Sequence, residues 1–266
     1  MRIPALALLL LASPAWADPA TGQVRFISCP IYRDADAGKK SGCWLADDHE
    51  AGRRFDISLS PTKPDWNFAV LVEGRLSKDQ ANACGGEVLD PVRVSVLQEP
   101  CTRAMLPAEG YPGRRFVLPV RNVRPLYEPR APFEQPFRER TFSIPFEFGR
   151  SFITYQLSDY LIDQAVAYAL ASHAASVDIT GYAATGPAVV SGRTIAEPTD
   201  VAEARANVAA DWMKRLGVPE DRLRISWKLA AEPIDMPGSD GLTEPSRRRV
   251  DIRITPGPDA VQALKR

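Results

Sequence analysis

Residues 178–185 read DITGYAAT, a stretch that begins like a strand and ends in small residues. Val177 and Ile179 alternate with polar neighbours, which is typical of a half-buried strand, and a helical period follows from Asp200. A loop between a strand and a helix is a common place for a ligand in α/β domains. Within the stretch no charged residue follows Asp178. The sequence therefore raises the question of whether this loop still binds anything.

The segments on either side of this stretch alternate between strand and helix periods. Their order, β-α-β-α-β-β, predicts an α/β sandwich with helices on one face of a mixed sheet over residues 141–256. The expected elements are a strand over 141–149 (TFSIPFEFG), a helix from Leu157, the strand of the opening stretch, a helix from Asp200 to Gly217, and strands over 222–229 (RLRISWKL) and 247–254 (RRRVDIRI).

Two arginines fall on faces that this pattern predicts to be buried. Arg205 lies seven residues before Trp212, and so within about 20° of it on an ideal helix. Arg248 shares a strand face with Val250. A buried guanidinium group needs a carboxylate or a carbonyl as its partner. The apolar face expected beside Arg205 consists of Val201, Val208, Trp212 and Leu216.

The partner of each arginine could be internal or external. An internal ion pair could be formed with Asp178, Glu197 or Asp251. The alternative partner is the carboxylate of a ligand. Structural ion pairs are more common than binding sites, so these residues alone favour the internal pair.

At these residues the sequence resembles the OmpA-like, peptidoglycan-associated domain family. That family carries a G-H-T-D strand end, an L-S-x-x-R-A helix start, a G-(V/I) helix stop and an N-R-R-V strand. The resemblance covers roughly the last 115 residues and preserves the order of the elements. The corresponding residues here are Gly181-Tyr182-Ala183-Ala184, Val201-Ala202-Glu203-Ala204-Arg205-Ala206, Gly217-Val218 and Arg247-Arg248-Arg249-Val250.

The resemblance implies non-covalent binding of the diaminopimelate stem peptide of peptidoglycan. The family uses the Asp of G-H-T-D and the Arg of L-S-x-x-R-A, and the latter corresponds to Arg205. It implies a site that includes Tyr182, Thr185, Arg205 and Arg248. A helix start beside Arg205 would also offer free backbone donors to a carboxylate.

The motifs of this chain depart from the family pattern at the residues that would contact the ammonium group of diaminopimelate. The family Asp corresponds to Ala184, which cannot pair with the ammonium group of diaminopimelate, and the Asn of N-R-R-V corresponds to Arg247. The loop over 185–199 is also rewritten, as TGPAVVSGRTIAEPT. Glu197 or Asp200 could supply the missing carboxylate from this loop.

The N-terminal half reads as an exported, all-β domain. Residues 1–17 combine Arg2, a short apolar run and an A-x-A cleavage site, which predicts a signal peptide. Residues 18–124 contain short Val/Ile/Leu/Phe-rich runs between turn residues, typical of a small barrel or sandwich, and the interpretation we favour is a small barrel of OB-like type. A proline-rich linker is expected over 125–140 and a tail over 257–266. The expected strands are 23–28, 53–59, 68–76, 92–97 and 114–120.

Four cysteines lie in this N-terminal half, and their even number fits a disulfide-forming compartment. Three pairings are open. We favour Cys29 with Cys43, across a hairpin near Asp36, and Cys84 with Cys101. A zinc site is the alternative, but the spacing lacks C-x-x-C pairs. We expect no bound metal.

The balanced charge and the absence of catalytic motifs argue against a nucleic-acid-binding protein and against an enzyme. The chain has 33 basic and 33 acidic residues, which gives no reason to expect nucleic acid as a partner. It has two histidines and lacks G-x-S-x-G, H-E-x-x-H and phosphate-loop motifs, so we expect no enzyme and no cofactor. The resemblance, together with the signal-peptide pattern, implies a periplasmic, peptidoglycan-binding envelope protein of a Gram-negative bacterium, with an envelope protein as a further candidate partner of the N-terminal domain. We expect no transmembrane segment in the mature chain. The alternative is an envelope adaptor that keeps the fold and binds proteins instead.

Overall fold

The computed structural model describes residues 22–34, 42–81, 83–108, 132–153 and 158–258. The expected signal peptide, the expected strand over 114–120, residues 125–131 of the expected linker and residues 259–266 of the expected tail lie outside these ranges. The described residues form two main sheets, one from each half of the chain, and a small hairpin.

The N-terminal half forms a seven-stranded sheet in the order β1-β5-β6-β4-β3-β2-β7. The described residues of this half form strands, but the predicted all-β barrel is not confirmed: no pairing joins β1 to β7 among the described residues. The strands β2, β3 and β7 are additional to the five that the sequence predicts for the N-terminal half. The strands are β1 (Gln23–Ser28), β2 (Pro30–Arg33), β3 (Cys43–Asp48), β4 (Arg53–Asp56), β5 (Phe68–Leu76), β6 (Glu87–Pro100) and β7 (Ala104–Leu106).

Two disulfides connect this sheet, and the favoured pairing is wrong. Cys29 bonds to Cys101, and Cys43 bonds to Cys84. The expected hairpin between β2 and β3 does form, but its register places Arg33 opposite Cys43. Cys29 lies at the other end of β2 and so cannot reach Cys43 across the ladder.

The C-terminal half forms the predicted sandwich around a mixed sheet in the order β12-β9-β13-β8. β12 is parallel to β9, and the other pairs are antiparallel. α1 and α2 share one apolar core with the sheet, so both cover the same face. The elements are β8 (Arg140–Pro145), α1 (Ser158–Ala171), β9 (Ser176–Tyr182), β10 (Ala188–Val190), β11 (Arg193–Ile195), α2 (Val201–Arg215), β12 (Leu223–Lys228), α3 (Thr243–Arg247) and β13 (Arg249–Thr255).

The buried face of α2 differs from the predicted one. Leu216 is exposed, and Trp212 is only half-buried. The helix lies very close to β9, since a Cβ added to Gly181 would come within 2.0 Å of the Ala202 carbonyl oxygen. Only small side chains fit at such a distance, and this rotates the helix so that Arg205 faces the sheet. The buried residues are Val201, Ala202, Arg205, Ala206, Ala209, Ala210 and Met213.

The two halves pack against each other through an apolar seam. Ile27 and Leu71 of the N-terminal sheet join Val190 of the β10–β11 hairpin in one buried cluster, with Phe148 packed against it. The Ser191 hydroxyl accepts a hydrogen bond from the Ile27 amide at 2.9 Å. The rewritten loop therefore forms a hairpin that contacts the N-terminal domain.

Within the C-terminal part of the expected linker, the chain packs on α1. Phe137 is buried against Tyr168, whose hydroxyl donates a hydrogen bond to the Arg138 carbonyl at 2.6 Å. Within the described ranges, no helix has both the length and the apolar character needed to cross a bilayer.

Candidate functional site

Arg205 lies at the centre of the candidate site and is 0% exposed. The position follows from the close approach of α2 to β9, which turns this residue towards the sheet. A guanidinium group has five N–H donors. The donors of Arg205 contact the carbonyl oxygens of Arg150 at 2.8 Å, Tyr182 at 2.7 Å and Glu147 at 3.0 Å, and both carboxylate oxygens of Glu197 at 2.5 and 3.0 Å.

Glu197 supplies the carboxylate that neutralises Arg205. It follows the β10–β11 hairpin, and its side chain is also 0% exposed. Besides the guanidinium group, its oxygens accept hydrogen bonds from the amides of Ala184 at 2.6 Å and Gly149 at 2.8 Å. Two charged donors and two backbone donors thus converge on one carboxylate group, an arrangement typical of carboxylate recognition.

The environment of Glu197 keeps it ionised. Burial opposes ionisation, but the hydrogen bonds and the charge of Arg205 outweigh it, so the pKa of Glu197 lies below its ordinary value. The Arg205 guanidinium group also lies 5.4 Å from the centroid of the Phe146 ring. Chemically, the site is a carboxylate receptor that the chain fills with its own side chain.

The structure brings together few of the predicted site residues. Tyr182 contributes its carbonyl oxygen to Arg205, but its ring lies on the opposite face of the sheet, with the Arg249 guanidinium group 4.4 Å from its centroid. The Thr185 hydroxyl donates instead to the Leu229 carbonyl. Asp200, one of the two candidate replacements for the family Asp, is exposed, whereas the other, Glu197, pairs with Arg205.

Arg248 lies in a second buried ion pair, at the seam between the two halves. It is 1% exposed, and its terminal nitrogens contact the Glu73 carboxylate of β5 at 2.5 and 3.2 Å. Arg25 Nε contacts the same carboxylate at 3.0 Å. Burial disfavours the charge of Arg248, but Glu73 outweighs this effect and raises the pKa of Arg248. The predicted binding residue Arg248 therefore connects the two domains.

Sequence reasoning named Glu197 as one of several partners but missed Glu73 entirely. A signal for Glu73 existed, because it is the only charged residue within the apolar run FAVLVEG, residues 68–74. Such a run reads as a strand buried on both faces, and a carboxylate there needs a cationic partner. Nothing in the sequence indicates that this partner lies 175 residues away.

No family model matches the chain, and no curated protein matches it. Solved structures do resemble it. The OmpA-like domain of FopA1 from Francisella tularensis is 21% identical, with 44% of this chain and 73% of that chain covered and a TM-score of 0.35. The peptidoglycan-associated lipoprotein from Burkholderia pseudomallei is 18% identical, with 43% and 90% covered and a TM-score of 0.34. The periplasmic domain of Helicobacter pylori MotB is 16% identical, with 50% and 85% covered and a TM-score of 0.33. The first of these structures is an OmpA-like domain, the family that the motifs of this chain resemble.

Proposed function

We propose that this protein is an exported structural adaptor of the bacterial cell envelope. It keeps an OmpA-like sandwich but fills the carboxylate receptor of that sandwich from within. One observation carries the proposal: all the donor groups of Arg205 are engaged by protein oxygens, and neither Arg205 nor Glu197 has any exposed side-chain surface. A stem-peptide carboxylate would have to displace Glu197 before it could reach the guanidinium group.

The seam between the domains supports the same proposal. An adaptor needs a fixed arrangement of its parts, and here a buried ion pair, Glu73 with Arg248, and a shared apolar cluster connect them. Breaking a buried pair by removing one partner typically costs about 3–5 kcal/mol, so such a seam resists separation. The β10–β11 hairpin contacts the N-terminal sheet, and Glu197 lies shortly after it in the chain. Packing of the two domains therefore helps to place Glu197 beside Arg205.

The disulfides and the N-terminal sequence pattern support export. Two disulfides connect the N-terminal sheet, and such bonds persist in oxidising compartments such as the periplasm. The signal-peptide pattern over residues 1–17 agrees with that location.

Peptidoglycan binding is the second candidate function, and one observation favours it. The amides of Ala184 and Gly149 and the Arg205 guanidinium group still converge on a single carboxylate group. If the hairpin and Glu197 withdrew, these donors would form a receptor for the carboxylate of a stem peptide. In that case the protein would bind the wall only in an opened state.

Co-sedimentation with purified diaminopimelate-type peptidoglycan tests the two candidates. We expect the wild-type protein to remain in the supernatant. We expect the double variant Glu197→Ala/Ala184→Asp, which empties the receptor and restores an ammonium partner, to gain binding. Asp200→Ala serves as the control, because it removes an exposed carboxylate near the same loop. Pelleting of the wild type that Arg205→Lys abolishes would reject the adaptor and support the second candidate.

A further inference from the structure

β12 is an edge strand with unusual apolar exposure. It pairs only with β9, so its other side faces no strand among the described residues. Ile225 and Trp227 are 43% and 47% exposed, and Leu229, just past the strand end, is 44% exposed. Exposed edges with apolar side chains are sites where another chain adds a strand, and proteins normally protect them.

The other edge of the same sheet differs clearly. On β8, Ile144 is 0% exposed and Phe142 packs against Tyr168 of α1. On β12, Ile225 lies opposite Ile179 and Trp227 opposite Gly181, so both side chains project on the face that α2 covers, where they remain 43% and 47% exposed at the outer edge of the sheet. An added strand would therefore meet a row of apolar side chains at every second residue.

The alternate residues of β12 give the opposite face of this edge a positive charge. Arg224 is 73% exposed and lies 3.8 Å from Asp178, a carboxylate that also pairs with Arg253 at 3.1 Å. Across the described ranges, no carboxylate lies within 4.0 Å of Lys228, which instead lies 5.9 Å from the Tyr182 ring centroid. This face therefore favours a partner with acidic residues.

The same charges disfavour a second copy of this chain that pairs in the register centred on Ser226. An antiparallel pairing of two β12 strands centred on Ser226 would place Arg224 of each opposite Lys228 of the other. Like charges directly opposite each other in a ladder are destabilising. An acidic strand would have the reverse effect, because each carboxylate would face a cation.

We propose that the free edge of β12 is the docking site for an extended segment of a partner protein in which apolar and acidic residues alternate. The segment would add a strand beside β12, with its main chain hydrogen-bonded to the free edge, its apolar residues beside Ile225 and Trp227, and its carboxylates beside Arg224 and Lys228. This inference names the partner surface of the proposed adaptor and so rests on that function. The two tests are independent, because co-sedimentation with peptidoglycan tests the Arg205 site and the peptide-binding test described next concerns β12.

A synthetic probe tests the site directly. The probe is a fluorescein-labelled nonapeptide of alternating Glu and Val, and binding is followed by fluorescence anisotropy. We expect saturable binding that weakens at least about tenfold when Lys replaces Glu in the peptide, or when Trp227→Ala removes the largest apolar side chain. N-methylation of alternate peptide amides, which removes ladder donors, should abolish binding. Lys228→Glu should sharply reduce the preference for the Glu peptide over the Lys peptide, because Arg224 then remains as the cation of this face that faces the peptide.

Two variants provide matched controls. Met105→Ala removes an apolar side chain that is 57% exposed on β7, the edge strand of the other sheet. Lys78→Glu reverses an exposed charge of the N-terminal domain. Neither should change binding. Absence of saturable binding, equal binding of the N-methylated peptide, or a dimer in sedimentation that Trp227→Ala dissociates would each overturn the proposal.

Discussion

The buried pair of Arg205 and Glu197 can be tested by removing its carboxylate. Glu197→Ala leaves the guanidinium group buried without a counterion, although three backbone carbonyls still accept from it. The amides of Ala184 and Gly149 also lose their acceptor. Breaking a buried ion pair on one side costs about 3–5 kcal/mol, and we expect the free energy of unfolding to fall by that amount. For a chain of this size, the melting temperature should fall by roughly 6–20 °C.

A double-mutant cycle separates the pair from the general cost of substitution. Urea denaturation of the oxidised protein is measured for Glu197→Ala, Arg205→Met and the double variant. Once Arg205 is gone, loss of Glu197 should cost much less, which corresponds to a coupling energy of about 2–3 kcal/mol. Glu203→Ala, on the exposed face of α2, is the control and should stay within about 0.5 kcal/mol of the wild type. A loss below about 1 kcal/mol for Glu197→Ala would refute the assignment of a buried, mutually dependent pair.

Three further predictions concern acid, packing and disulfides. Folding lowers the pKa of Glu197, so the stabilisation from its ionised carboxylate is present above the unfolded pKa of about 4.3 and is lost as the pH falls through the folded pKa. The difference in unfolding free energy between the wild type and Glu197→Gln should therefore shrink in denaturation series at falling pH. A difference that stays constant would contradict the lowered pKa. Gly181→Ala should destabilise by about 1–3 kcal/mol in urea because its Cβ would collide with the α2 backbone, whereas Gly186→Ala, with open space around it, should not. The double variant Cys43→Ser/Cys84→Ser should lose about 2–4 kcal/mol of unfolding free energy. Non-reducing peptide mapping of the wild-type protein should recover Cys43 linked to Cys84, and recovery of Cys43 linked to any other cysteine would contradict the fold.

The order of elements in the C-terminal half could be predicted because it depends on local periods. Buried apolar residues recur every two residues in a strand and about every 3.6 residues in a helix, and both patterns are strong here. The buried face of α2 could not be read in this way. Its orientation is set by the close contact at Gly181, a tertiary feature that makes alanines and Arg205 the buried residues.

The partners of the two buried arginines illustrate the same limit. Glu197 is eight residues from Arg205 and could be named in advance as a candidate. Glu73 could not be paired with Arg248, because only the packing of the two domains brings β5 to β13. The disulfide pairing was predicted wrongly for a related reason. The register of the β2–β3 pair decides which residue lies opposite Cys43, and the sequence does not fix that register.

The alternation in RLRISWKL, residues 222–229, predicts a strand, which the structure confirms, but it does not predict the exposure of that strand. A period of two indicates one apolar face and does not say whether that face is covered. Ile225 and Trp227 are exposed because β12 lies at the edge of the sheet.

The measurement that tests the self-filled receptor most directly is calorimetric titration of the folded, oxidised protein with a purified diaminopimelate-containing stem peptide. Because Glu197 occupies the donors of Arg205, Ala184 and Gly149, the wild-type protein should give no saturable heat up to millimolar peptide. Saturable binding by the wild type, abolished by Arg205→Lys and unchanged by Asp200→Ala, would contradict the self-filled receptor and identify a wall-binding site that opens in solution.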